Sequence, residues 1–245
     1  MIHTAHKIST SKKIKNINIT EIAHFNKWAN QWWEINGIFN TLHYINLTRL
    51  NYILTHSYGL IGKTILDIGC GGGLLAESMT KAGAKVVGLD VSINTLDIAK
   101  SHALSQKLTI DYLLETIEEH ALSHANYYDI ITCMELLEHV PDPASVIYSC
   151  NSAIKIGGSV FFSTINRTFK SWLAIIVGAE YIFNLIPKNT HQFEKFIKPS
   201  ELLTWIDKTN LTTTNISGIH YNPITNKCSL SKNIDTNYIL HTTRH

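Results

Sequence analysis

A chain of 245 residues with 44% apolar and only 16% charged side chains has ample material for one buried core, which excludes a disordered or fibrous protein. Its net charge of +2 is too balanced for a protein that tracks nucleic-acid phosphates, so no nucleic-acid partner is expected. Cys70, Cys133, Cys150 and Cys228 lie far apart, which excludes a CxxC zinc pair and fits reduced thiols in the cytoplasm.

Residues 1–20 carry Lys7, Lys12, Lys13 and Lys15 without an acid or the apolar run of a signal peptide, and read as a short mobile basic tail. The remainder, 21–245, reads as a single domain. Ile22, Phe25, Trp28, Ala29, Trp32 and Trp33 recur at helical spacing, predicting a helix over 21–33 with Thr20 as N-cap. Trp28, Trp32 and Trp33 are more than such a helix needs for itself, so 21–56 is expected to form a helical lid over a pocket.

After Gly62 the period changes to strands alternating with helices. Strands are expected at 64–68, 85–90, 108–113, 128–134, 159–164, 212–217 and 238–241, with a helix started by Asp142 and Pro143 and ended by Gly157-Gly158. This alternation predicts an α/β fold, a Rossmann-like doubly wound, mostly parallel seven-stranded sheet. An apolar helical segment is inserted at 165–198 and is expected to lie over the active site. Its centre, Ser171 to Pro187, spans 17 residues with Glu180 inside, shorter than the roughly 20 needed to cross a bilayer. A buried or dimer-forming helix and an interfacial element dipping into lipid headgroups both fit it.

Asp67-x-Gly69-x-Gly71-x-Gly73 sits where the first strand turns into a helix, and glycines there let backbone N–H groups approach a ligand closely. The spacing is not the dinucleotide GxGxxG, because the sixth position counted from Gly69 is Leu74. Asp90 ends the second strand, where a carboxylate can accept from both ribose hydroxyls or cap the next helix. Beyond Met134, Glu135, Glu138 and His139 fall at i, i+3 and i+4, so one helical turn would bring them to one side. Such a set could hold a divalent ion or supply a general base; a solvated helix start over Leu136, Leu137 and Val140 is the plainer alternative.

The acid-x-Gly-x-Gly-x-Gly form resembles motif I of class I S-adenosylmethionine-dependent methyltransferases. Leu66 to Gly73, Leu75 to Met79, Met134 to Pro143, Phe161 to Arg167, Val177 to Ile182, His220 to Thr225 and Tyr238-x-Leu240-His241-Thr242 further resemble the ubiquinone-biosynthesis O-methyltransferase family. The resemblance runs from about Glu21 to the C-terminus. It implies methyl transfer from S-adenosyl-L-methionine to ring hydroxyls of a polyprenyl catechol and of a demethylubiquinol. Cofactor-binding positions would be Arg49, Asp67, Gly69, Gly71, Asp90 and Met134; His139 and Glu138 would be catalytic. Mitochondrial relatives imply a metal, such as Mg²⁺, on Glu135, Glu138 and His139. A polyprenyl substrate implies a cytoplasmic enzyme held peripherally on anionic lipid of the inner membrane, with a ubiquinone-biosynthesis complex as a further partner. The alternative is a module that binds S-adenosylmethionine as a sensor or scaffold without catalysis.

Overall fold

The computed structural model describes residues 16–35, 37–173, 192–223 and 225–245. The expected basic tail therefore lies almost wholly outside the described residues, as does most of the apolar run from Ser171 to Pro187. In chain order the elements are α1 (Ile19–Asn26), α2 (Asn40–His56), β1 (Thr64–Ile68), α3 (Leu74–Lys81), β2 (Lys85–Asp90), α4 (Ile93–Ser105), β3 (Asp111–Leu114), α5 (Ile117–His120), β4 (Tyr128–Met134), α6 (Pro143–Ala153), β5 (Ile154–Ile165), α7 (Phe169–Ser171), α8 (Pro199–Ile206), β6 (Leu211–Asn222), β7 (Lys227–Ser231) and β8 (Asn237–Arg244).

The strands form one sheet in the order β3-β2-β1-β4-β5-β8-β6-β7. Pairing from β3 through β5 is parallel, and β8, β6 and β7 complete the sheet antiparallel. Consecutive residues of a strand face opposite ways, so each apolar pair feeds two cores. Ile65, Ile130, Phe161 and Ile239 join α2, α3 and α4 on one face. Their neighbours Leu66, Ile131, Phe162 and Leu240 join α6 and α8 on the other. Burial on both faces is why these strands read as continuous apolar runs.

Several expectations need correction. The sheet has eight strands rather than seven: β7 is an edge strand, mostly exposed, and carries little apolar signal. The predicted helix 21–33 breaks after Asn26, and Ala29–Gln31 is a separate 3₁₀ turn. Its cap is Asn18, whose side chain accepts from the Thr20 and Glu21 amides at 3.0 and 3.4 Å, so Thr20 already lies inside the first turn. Helix α6 ends at Ala153 and runs directly into β5; Gly157, with φ +76°, lies in the bulge where the β4–β5 register shifts. Within 21–56, α2 both lines the cavity, through Leu42, Ile45, Asn46 and Arg49, and packs into the core, with Tyr52 and Ile53 fully buried.

Candidate active site

Strand order reverses between β1 and β4, and in open α/β sheets ligands bind beyond the carboxyl ends of the strands at that point. The turn Gly69–Gly73 follows β1, and the segment Glu135–His139 follows β4. Both line a cavity of about 920 Å³ that the lid helix α1 covers.

Gly69, Gly71 and Gly73 have φ of +67°, +53° and +87°, a conformation that side chains disfavour. A Cβ on Gly69 would stand 3.0 Å from Leu136. The Gly71 amide donates to Asp90 Oδ2 and the Ser92 amide to Asp90 Oδ1, both at 2.9 Å. Burial pushes the Asp90 pKa up, and these amides oppose that shift. Asp67 is buried beneath the turn and accepts from Thr132 Oγ1 at 2.7 Å. Burial raises its pKa to about 7 against the pull of that bond and of the Arg49 charge. Asp67 ties the end of β1 to β4 through Thr132, and both Asp67 and Asp90 line the cavity.

Arg49 reaches the same cavity from α2, an element distant in sequence. Its terminal nitrogen donates to Glu135 Oε1 at 2.8 Å, and Ser163 Oγ donates to that oxygen at 2.8 Å. Arg49 Nε is buried without a hydrogen-bond partner. Met134 ends β4 on the cavity wall.

Of Glu135, Glu138 and His139 only the two carboxylates come together, with a hydrogen bond between their side chains, while His139 turns away. Glu135 adopts φ +51°, and only Leu137–His139 forms a 3₁₀ turn, so the helical spacing never applies. Glu135 turns to Arg49. Glu138 is 3% exposed and accepts from Thr164 Oγ1 at 2.8 Å. Burial, with Glu135 beside it, drives its pKa well above the carboxylate range. His139 instead meets the lid: its Nδ1 lies 3.1 Å from Glu21 Oε2, and Phe25 packs edge-on at 5.2 Å. Among the described residues no three His, Cys, Asp or Glu side chains form a metal-holding group. Glu135 and Glu138 lie together, and Glu138 Oε1 is buried without a hydrogen-bond partner, but with His139 turned to the lid the three-ligand set is not assembled.

Sequence reasoning missed Glu21 and Lys195, whose Nζ donates to Glu21 Oε1 at 2.7 Å. Burial alone would raise the Glu21 pKa, but the His139 and Lys195 hydrogen bonds and charges outweigh it and hold it at about 2. Neither residue sits in a local motif that could have marked it.

A family model described as a methyltransferase domain matches residues 24–216. The Ubiquinone biosynthesis O-methyltransferase of Salmonella enteritidis PT4 is 55% identical over 227 residues, covering 93% of this chain and 94% of that protein. The chain belongs to the ubiquinone biosynthesis O-methyltransferase family. As a member it is an S-adenosylmethionine-dependent O-methyltransferase rather than a cofactor sensor. The same relative from Salmonella newport gives the same identity and coverage. Among solved structures, magnesium protoporphyrin IX methyltransferase from Synechocystis PCC 6803 with bound SAH superposes with a TM-score of 0.68 at 16% identity. That likeness covers 91% of this chain and 95% of the other, and shows the fold that the O-methyltransferase family shares with it.

Proposed function

We propose that the enzyme methylates a ring hydroxyl of a polyprenyl catechol and, at a later step, of a demethylubiquinol, with His139 as the base. The carrying observation is the lining of the cavity. Asp90, Gly71, Arg49 and His139 line one cavity with the apolar lid residues Phe25 and Trp28, and helix α1 contacts His139 through Glu21 and, through Asn26, Ser92 next to Asp90. Asp90, held by the Gly71, Ser92 and Val91 amides and the Thr95 side chain, is the cavity-lining carboxylate placed to meet the ribose hydroxyls. Arg49 would hold the cofactor carboxylate, and Gly69 and Met134 would border the cofactor. When bound, S-adenosylmethionine supplies an electrophilic methyl group on a sulfonium.

The protein's own task is then to hold the phenol oxygen in line with that methyl and to move one proton. A phenol has a pKa near ~10, so little is phenolate at neutral pH. His139 at the cavity wall can accept the hydroxyl proton as the oxygen attacks. Helix α1 and the Trp28 and Trp32 rings cover the site and keep water out. Leu173 lines the cavity, and next to it exposed Phe169 and Trp172 stack at 5.6 Å. Such an apolar rim favours entry of a polyprenyl tail from a membrane surface and peripheral association with anionic lipid. Among the described residues no helix is long and apolar enough to cross a membrane.

The test is methyl transfer from labelled S-adenosylmethionine to a short-chain polyprenyl catechol. His139→Ala is expected to lower kcat by about 100-fold or more while cofactor affinity is retained; wild-type kcat would remove His139 as base. In a sedimentation arm, Phe169→Ser with Trp172→Ser should weaken binding to phosphatidylglycerol vesicles, and unchanged binding would end the membrane reading.

A further inference from the structure

We propose that Glu21 is a positioning residue for catalysis: it holds the His139 ring through Nδ1, so that lid closure and assembly of the base are one event. This rests on the reading of His139 as the base. Glu21 and Phe25 lie one helical turn apart on α1, and both contact the same imidazole, one by a 3.1 Å hydrogen bond and one edge-on at 5.2 Å. The other carboxylate oxygen is taken by Lys195 at 2.7 Å, so each oxygen has a separate partner and the carboxylate is fixed in rotation. Both acidic and imidazole side chains are nearly withdrawn from solvent, 13% and 11% exposed, where such a contact is stronger than on an open surface.

The helix that carries Glu21 is pinned at both ends. Before it, Asn16 donates to the Asp142 carbonyl and to Glu118 and accepts from the Asp142 amide, each at 2.8 Å. Asp142 follows His139 by three residues in the chain, so this tether fixes the lid to the segment that bears the base. After it, Asn26 accepts from Ser92 Oγ at 2.5 Å, beside Asp90. Helix α1 therefore bridges the segment that bears His139 and the one that bears Asp90.

The chemical consequence follows from the imidazole itself. A neutral imidazole carries one N–H, and donation from Nδ1 to Glu21 puts the lone pair on Nε2. Once His139 accepts the substrate proton, an anion at Nδ1 stabilises the imidazolium, as the buried acid does in a hydrolase triad. A carboxylate supplied by the lid makes this arrangement conditional on closure.

The experiment is a double-mutant cycle on the full chain, with kcat and KM measured for both substrates. Glu21→Gln keeps the shape and loses the charge; it should lower kcat about 10-fold or more with KM for S-adenosylmethionine unchanged, and Glu21→Asp should recover part of the loss. In a His139→Ala background, Glu21→Gln should cost nothing further. Nitrogen NMR of His139 should show the Nδ1–H tautomer in the wild type and its loss in Glu21→Ala, a readout independent of turnover. Slow His139→Ala with wild-type Glu21→Gln, or an equal Glu21→Gln loss in both backgrounds, would overturn the positioning role alone. Wild-type turnover by His139→Ala would overturn the base assignment and, with it, this inference.

Discussion

Asp90 shows how one carboxylate can organise two pieces of backbone and still serve a ligand. Its oxygens draw the Gly71 and Ser92 amides toward one point, so the turn after β1 and the start of α4 are fixed by the group that would face the ribose. Asparagine in its place offers one acceptor oxygen and turns an NH₂ toward an amide, setting donor against donor. Asp90→Asn is therefore expected to raise the cofactor Kd by about 10- to 100-fold, the scale of a lost charged hydrogen bond. Titration calorimetry with S-adenosylhomocysteine measures this, and an unchanged Kd would remove Asp90 from the binding site. Residues such as Asp67, Gly69 and Asp90 were legible because strand ends and left-handed turns restrict which side chains can stand there. Glu135, Glu138 and His139 were legible as a group but not as an arrangement. The left-handed backbone at Glu135 redirects its side chain to Arg49, a residue 86 positions away. Glu21 was invisible for the same reason, since its meaning lies in a contact across 118 positions.

At the scale of elements, the glycine turn and the lid explain each other. The Trp32 indole lies where side chains at positions 71 and 72 would be: a Cβ on Gly71 would come within 2.3 Å of Cζ2, and one on Gly72 within 2.3 Å of Cγ and Cδ1. Trp33 donates from Nε1 to the Gly72 carbonyl at 2.9 Å and stacks on His102 at 3.4 Å. The glycines thus serve the cover as well as the ligand. Gly72, unlike Gly71, has no positive φ, so Gly72→Ala isolates the clash from backbone strain. We expect it to destabilise by about 1–3 kcal/mol, the range for overpacking, and to red-shift tryptophan emission as Trp32 leaves its seat. Trp32→Ala should make the same glycine substitution nearly neutral; an undiminished cost in that background would show that the indole is not seated there. Tryptophans in excess of one helix face announced a cover, but a helical period cannot say that its residues part company after Asn26. The parallel strands were legible because burial on both faces leaves unbroken apolar runs, a signal that the exposed edge strand β7 lacks.

Across the whole molecule, two cores lie on either side of one sheet, and the seam between α2 and the sheet holds a buried histidine that links stability to pH. His241, on β8, stacks on Phe161 of β5 at 4.6 Å. Its Nδ1 lies 2.6 Å from Thr214 Oγ1 and its Nε2 3.0 Å from Ser159 Oγ, while His56 at the end of α2 stands 5.4 Å away. Burial, aided by the His56 charge, lowers the His241 pKa from 6.5 to about 4. A lowered histidine pKa means that the unfolded chain takes up a proton before the folded one does. Above pH 6.5 both states are neutral at this site and nothing is lost; as pH falls from 6.5 toward 4 the unfolded state gains protons and stability declines. Asp67, raised to about 7, works in the opposite sense, since its unfolded carboxyl ionises first as pH rises from about 4 to 7. The whole-protein profile therefore sums opposing slopes, and the histidine's part is read by difference. The Tm advantage of the wild type over His241→Gln should shrink by a few degrees between pH 6.5 and pH 4.5 and stay constant from pH 7 to 8. Calorimetric scans at matched ionic strength check this; a constant gap across the acid range would mean that the imidazole titrates alike in both states, and that the polar contacts of Thr214 and Ser159 accept its charged form.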